Sequence, residues 1–179
     1  MLNKKNEIIL VDNFDNETGT SDKEKAHRQG LLHRAFSVFL YDGNRLLIQK
    51  RAEHKYHSGG LWANTCCSHP KKNESLSEAV KRRLYEETGI CSDTEEVFSF
   101  VYRHKFNDEL YEYEFDHVFI GEYAGEYRAD PEEISEMKWI DSEELEREMA
   151  EYPDDFACWF RIAAPGVIRI IKARESRKV

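Results

Sequence analysis

Two periodicities divide this chain. In residues 75–88 the apolar side chains Leu76, Ala79, Val80 and Leu84 recur at helical spacing, so one stripe can face a core while Glu and Arg line the rest. Gly89 follows, the residue type that ends helices most readily. Elsewhere the pattern is that of strands. Residues 7–12 predict a short first strand and residues 13–19 a polar turn. Residues 33–41 (HRAFSVFLY) and 45–51, separated by Asp42-Gly43, predict a β-hairpin. Residues 96–106 and 111–123 predict a second hairpin of long aromatic strands joined through Asn107-Asp108. A short strand follows at 137–140, then a helix capped by Asp141-Ser142 and running to about Glu151. Residues 154–174 read as a further helix, broken or kinked at Pro165-Gly166. Residues 21–29 read as a short helix or loop rather than core, and 52–60 as a basic, glycine-containing loop. No repeat or linker divides the chain, which predicts one domain over residues 1–179 with its motifs between about 23 and 160.

Composition narrows the possibilities. At 179 residues the chain can bury a core without staples, and 40% hydrophobic with 12% aromatic residues is a globular composition. Charged residues at 34% and a mean hydropathy of -0.74 imply a very polar surface. No apolar run reaches the roughly 20 residues that span a bilayer, and the start, MLNKKNEIIL, lacks a long apolar segment, so a cytoplasmic location away from membranes is expected. A net charge of -9 argues against an extended nucleic-acid footprint. Neither GxGxxG nor GxxxxGK[ST] is present, so dinucleotide and P-loop chemistry are not supported. Cys66, Cys67, Cys91 and Cys158 have no CxxC spacing and are expected to be reduced thiols.

Five groups of residues could carry chemistry. Glu112, Glu114 and Asp116 alternate along one predicted strand, so all three carboxylates share a face; solubility, cation binding or a displaced pKa would each explain them, and Tyr111, Tyr113 and Phe115 would then form the core side. Glu86 and Glu87 stand at the C-terminal end of the 75–88 helix, where the dipole favours a cation, either Arg82 and Arg83 or a metal ion. His27, His33 and His69 lie near predicted sheet edges; each alone reads as a satisfied polar residue, whereas together imidazole with carboxylate suits a divalent ion. Cys67 precedes Ser68-His69-Pro70 just ahead of the helix and is either an inert buried thiol or a proton-exchanging one. Lys23, Arg51, Lys55 and Arg83 would make a diphosphate site if the fold gathers them, and are surface charges otherwise.

Residues 68–90 resemble the Nudix signature through Glu74, Arg82, Leu84, Glu86, Glu87, Gly89 and Ile90. Ser68 stands where the signature has Gly, and Arg83 where it has Glu, a loss that weakens a hydrolase reading because hydrolases use a dense carboxylate helix to hold metal and activate water. Together with AHRQGLLHRAFSVF, LWANTCCSHP and EYEFDHVF, the pattern from Lys23 to Trp159 resembles the type 1 isopentenyl-diphosphate delta-isomerase family.

The resemblance implies an α/β (α+β) Nudix fold, with mixed β-sheets flanked by helices in a sandwich-like single domain. It implies His27, His33, His69, Glu112 and Glu114 as ligands of one divalent cation, Mn2+ or Mg2+. Glu87 and the main-chain oxygen of Cys67 would hold a second ion, Mg2+, with the diphosphate. Cys67 and Glu114 are implied as catalytic residues, Tyr102 as a supporting phenol, and Trp159 as an aromatic wall. Lys23, Arg51, Lys55 and Arg83 are implied as diphosphate contacts. The activity implied is interconversion of isopentenyl and dimethylallyl diphosphate in isoprenoid synthesis by a monomer or homodimer. The rivals are a Nudix hydrolase releasing phosphate and a catalytically silent binding module.

Overall fold

Residues 7–55 and 57–178 are described by the computed structural model. Residues 1–6, which begin the segment read for a secretory leader, lie outside the described residues. The order is β1 (Glu7–Val11), β2 (Glu17–Asp22), α1 (Lys23–Gln29), β3 (His33–Asp42), β4 (Arg45–Arg51), β5 (Trp62–Ala63), β6 (Cys66–Ser68), α2 (Leu76–Thr88), β7 (Glu95–Asn107), β8 (Leu110–Glu122), β9 (Ile134–Asp141), α3 (Ser142–Glu151) and α4 (Cys158–Lys178), with a 3-10 turn at Pro153–Asp155 before α4.

β3 is the hub of a mixed sheet. It runs antiparallel to β4 and β6, parallel to β8, and bridges to β1. Being covered on both faces, it alternates between two cores instead of between core and water, which is why it reads as a near-continuous apolar run. Phe36, Val38 and Leu40 pack with Ala79, Val80 and Leu84 of α2. Phe39 and Tyr41 belong to a second core with Phe160, Ala164 and Ile168 of α4. The mixed sheet between helices is the expected α/β architecture, and each large side chain buried in those layers contributes about 1.5–3 kcal/mol.

α2 forms as the periodicity predicts. Ser75 and Glu78 make a reciprocal capping box, Ala79, Val80 and Leu84 are buried, and Gly89 closes the helix at φ 68. Both predicted hairpins are present as antiparallel pairs.

Other segments differ from expectation for local reasons. The turn read at 13–19 overlaps β2, an outer strand paired with β1 and mostly exposed, so no buried face imposes an alternation. β5 and β6 are too short to show a period. α4 runs unbroken through Pro165, held by the burial of Ala163, Ala164, Val167, Ile168 and Ile171. Among the described residues no helix is long and apolar enough to cross a membrane. All four cysteines are free thiols.

Candidate active site

Strand register assembles the site. The parallel β3–β8 pair sets His33 beside Glu114 and Ala35 beside Asp116. The antiparallel β7–β8 pair sets Tyr102 on the other side of Glu114, and β6 sets Cys67 beside Ser37 of β3. Neighbours in register share a face, so these residues form one patch on the sheet. Glu112, Glu114 and Asp116 are all buried there, whereas Tyr111, Tyr113 and Phe115 are only half-buried. The acidic side is therefore the inner one, the reverse of an exposed acidic face over an aromatic core. Lys23, His57 and Trp159 help to enclose it around a cavity of about 40 Å³.

Helix α1 brings the next imidazole. Asp22 caps it by accepting from the Lys25 amide, Gly30 ends it in the left-handed region, and its last turn carries His27 into the interior. One donor atom each from His27, His33, His69 and Glu114 lies within 4.8 Å of all the others. The Nε2 atoms of His27 and His33 are 3.2 Å apart, and Glu114 Oε1 is 2.9 Å from His69 Nε2 and 3.4 Å from His33 Nε2. His33 Nδ1 is 2.8 Å from the Leu31 carbonyl, so Nδ1 carries the hydrogen and Nε2 presents a lone pair to the cluster. Burial, with the neighbouring histidines adding to it, pushes His27 down to about 2. Burial and nearby Lys23 push His69 down to about 4, against the pull of Glu114. Inward-facing imidazoles beside a carboxylate are a donor set that fits a divalent cation.

Glu112 stands one step outside this group. Its Oε1 is 3.3 Å from His57 Nε2, and its Oε2 is 3.1 Å from Tyr102 Oη, which also lies 2.6 Å from Glu114 Oε2. The phenol has one hydrogen and gives it to the closer carboxylate, Glu114. Burial would raise Glu114, but the His33 and His69 imidazoles against it outweigh burial and hold it well below the usual carboxylate range. Burial and the charge of Glu114 push Glu112 well above that range. Tyr102 thus stands between the two carboxyls, giving a chain of contacts Glu112 to Tyr102 to Glu114. Asp116 is also pushed up by burial and by Glu114, and it accepts from Ser37 Oγ at 2.8 Å.

Cys67 lines the same cavity. Burial pushes its thiol up to about 12 even though Arg51 Nη1, 3.8 Å from Sγ, works in the opposite direction. The Arg51 guanidinium also lies over the Trp159 ring at 5.4 Å. That ring is oriented by a hydrogen bond from its Nε1 to Asn64 Oδ1 at 3.1 Å.

The basic set divides. Lys23 and Arg51 line the cavity. Lys55 instead pairs with Glu133, which also meets Arg83 Nη2 at 3.2 Å. Lys23 and Arg83 share a neighbouring groove of about 470 Å³, so Lys23 joins the two sides. Glu87 is buried at the end of α2 and paired with Arg83, while Glu86 is paired with Arg82 and Arg83. Arginines therefore meet the carboxylates at that helix end. Arg82 also pairs with Glu74, pinning the loop before α2.

Two site residues escaped the sequence reading. His57, from the loop after β4, is buried, with its ring 4.9 Å from that of Phe106 and edge-on to Trp159 at 6.3 Å. Cys158 Sγ is 3.9 Å from Glu112 Oε2. Neither sits in a spacing motif, and only tertiary packing brings them in.

The comparisons agree with this geometry. A family model described as NUDIX domain matches residues 31–160. The chain is 47% identical over 163 residues to isopentenyl-diphosphate Delta-isomerase 2 of Aromatoleum aromaticum, covering 90% of this chain and 86% of that relative. It is 47% identical over 154 residues to the isopentenyl-diphosphate Delta-isomerase of Burkholderia multivorans, covering 86% and 88%. Among solved structures, a Deinococcus radiodurans protein aligns with a TM-score of 0.67 at 21% identity, over 82% of this chain and 90% of that one. The MutT protein of Methanosarcina mazei aligns at 0.58 and 19% identity, over 82% and 94%. At those identities the structures speak for the fold, while the sequence relatives reach through both hairpins and the helix between them: the chain belongs to the Nudix family, in its isopentenyl-diphosphate Delta-isomerase branch.

Proposed function

We propose that this protein interconverts isopentenyl diphosphate and dimethylallyl diphosphate. The observation that carries the reading is that Cys67, Glu114 and Trp159 line one cavity, with the basic side chains Lys23 and Arg51 on its wall. Moving the double bond requires a proton added at the terminal carbon of the alkene and another removed from the neighbouring methylene. Cys67 and Glu114 are the two proton stations for that exchange. In the resting site the thiol holds its proton and the Glu114 carboxylate does not. The Glu112–Tyr102 chain gives Glu114 a neighbour with which to share a proton inside the site. The tertiary cation formed in passing would lie against the face of Trp159, where Arg51 now places its guanidinium. Enclosure matters because water would trap that cation as an alcohol.

His27, His33, His69 and Glu114, joined by Glu112, would hold one divalent cation, Mn2+ or Mg2+. Glu87 and the Cys67 carbonyl would hold Mg2+ with the diphosphate. Bound there, the ions supply positive charge that orients Glu114 and neutralises the substrate's phosphates. Lys23 and Arg51 anchor the diphosphate, with Arg83 reaching it from the adjoining groove and Lys55 beside it at Glu133. A cytoplasmic location and a monomeric or homodimeric state belong to the same reading.

The test is proton NMR of isopentenyl diphosphate incubated with protein and Mg2+ in D2O, with a phosphorus spectrum of the same sample. Dimethylallyl diphosphate carrying deuterium, with its diphosphate intact, is expected. Release of phosphate would replace this reading with that of a hydrolase.

A further inference from the structure

His57 touches the acidic network at its outer end. The residue comes from a loop that bears no Nudix signature position, yet it is buried at 8% exposure and lines the cavity. Its ring is stacked on Phe106 and set edge-on against Trp159, so its orientation is held from two sides. That orientation aims Nε2 at Glu112 Oε1, 3.3 Å away, while Tyr102 occupies Oε2. A buried carboxyl with a partner on each oxygen has one rotamer; with either partner removed it can turn. Aromatic clamping followed by a directed N–H is the way a fold positions a carboxyl that must present itself to something else.

We infer that His57 is a positioning residue: its Nε2–H holds the Glu112 carboxyl in the orientation from which it serves both Tyr102 and the divalent cation. This rests on the proposed isomerase reading for its catalytic consequence, but its effect on cation affinity does not. His57 acts through Glu112 and touches neither the alkene nor the diphosphate in this role.

The probe is Mn2+ alone, titrated into metal-stripped full-length protein and followed by the electron paramagnetic resonance of free Mn2+. His57→Leu fills the space between Phe106 and Trp159 without a donor and is expected to weaken Mn2+ binding about 10- to 100-fold. His57→Gln, whose side-chain amide can reach the place of Nε2, is expected to restore binding to within about threefold of the parent. In a Glu112→Gln background, His57→Leu should add no further loss, because the group it positions is already altered. If His57→Leu proves unfolded by circular dichroism, the comparison of His57→Gln with the shorter His57→Asn carries the test, with only Asn losing affinity. Parent-like Mn2+ affinity in folded His57→Leu, or in His57→Asn, overturns the inference, as does full additivity with Glu112→Gln. In turnover, His57→Leu should lower kcat with KM for the diphosphate substrate little changed. A parent protein that binds Mn2+ but does not isomerise the substrate would refute the isomerase reading while leaving the Mn2+ comparison to decide the role of His57.

Discussion

Replacing Tyr102 with Phe removes one oxygen from the centre of the acidic network and leaves the ring. The ring contact with Phe100, centroids 5.7 Å apart, is retained, so packing is not the variable. What is lost is the 2.6 Å bond to Glu114 and the 3.1 Å contact with Glu112, all three groups being buried. A hydrogen bond to an ionised group is worth about 1.5–3 kcal/mol. For a chain of this size each kcal/mol corresponds to roughly 2–4 °C in Tm, so calorimetry of the metal-loaded protein should show a fall of about 3–12 °C. If the bond is made equally or more strongly while Glu114 exchanges its proton, turnover should fall about 10- to 150-fold. The readouts are separable, since Tm reports the resting network and the kcat from proton NMR reports the working one. A Tyr102→Phe protein with Tm within about 1 °C of the parent and kcat within about twofold would refute the claim that the phenol couples the two carboxyls.

Cys67→Ala and Glu114→Gln should each abolish isomerisation while leaving the circular dichroism spectrum and diphosphate binding intact; near-parental turnover in either would remove that residue from the proton exchange. His33→Ala and His69→Ala should each lower the divalent metal content measured by elemental analysis, and unchanged stoichiometry would strike the residue from the ligand set. The hydrogen bond from Arg82 holds Glu74 below its ordinary value of 4.5, so its stabilising effect is present above that pH and is lost as pH falls through the lower folded value. Glu74→Gln should therefore be less stable than the parent at neutral pH by urea titration, with the gap closing in acid; a gap that stays constant down to pH of about 3 would contradict this origin.

Much of the framework was readable because it rests on local rules. The α2 stripe, its Ser75 start and Gly89 end, and the strands either side of Asp42-Gly43 depend on residues a few positions apart. The resemblance likewise carried the family, since Glu74, Arg82, Glu86 and Glu87 keep their spacing whatever surrounds them. The Arg82 and Arg83 pairs with the α2 carboxylates were open to inspection for the same reason.

The site was only half determined at that level. Alternation along residues 112–116 shows that three carboxylates share a face, but the same pattern fits an exposed face or a buried one. The choice was made by His33, lying beside Glu114 in a parallel pairing, and by Lys23, His57 and Trp159 enclosing the acidic side. The basic residues were identified by type, yet no spacing could foretell that Lys23 and Arg51 would enter the cavity while Lys55 and Arg83 met at Glu133. His57 carried no sequence signal at all, because its function depends on Phe106, Glu112 and Trp159, which approach it only after long-range pairing. Local sequence determines the elements and the chemistry they offer; burial and register, set by contacts between distant segments, decide which of those groups meet and in what protonation state.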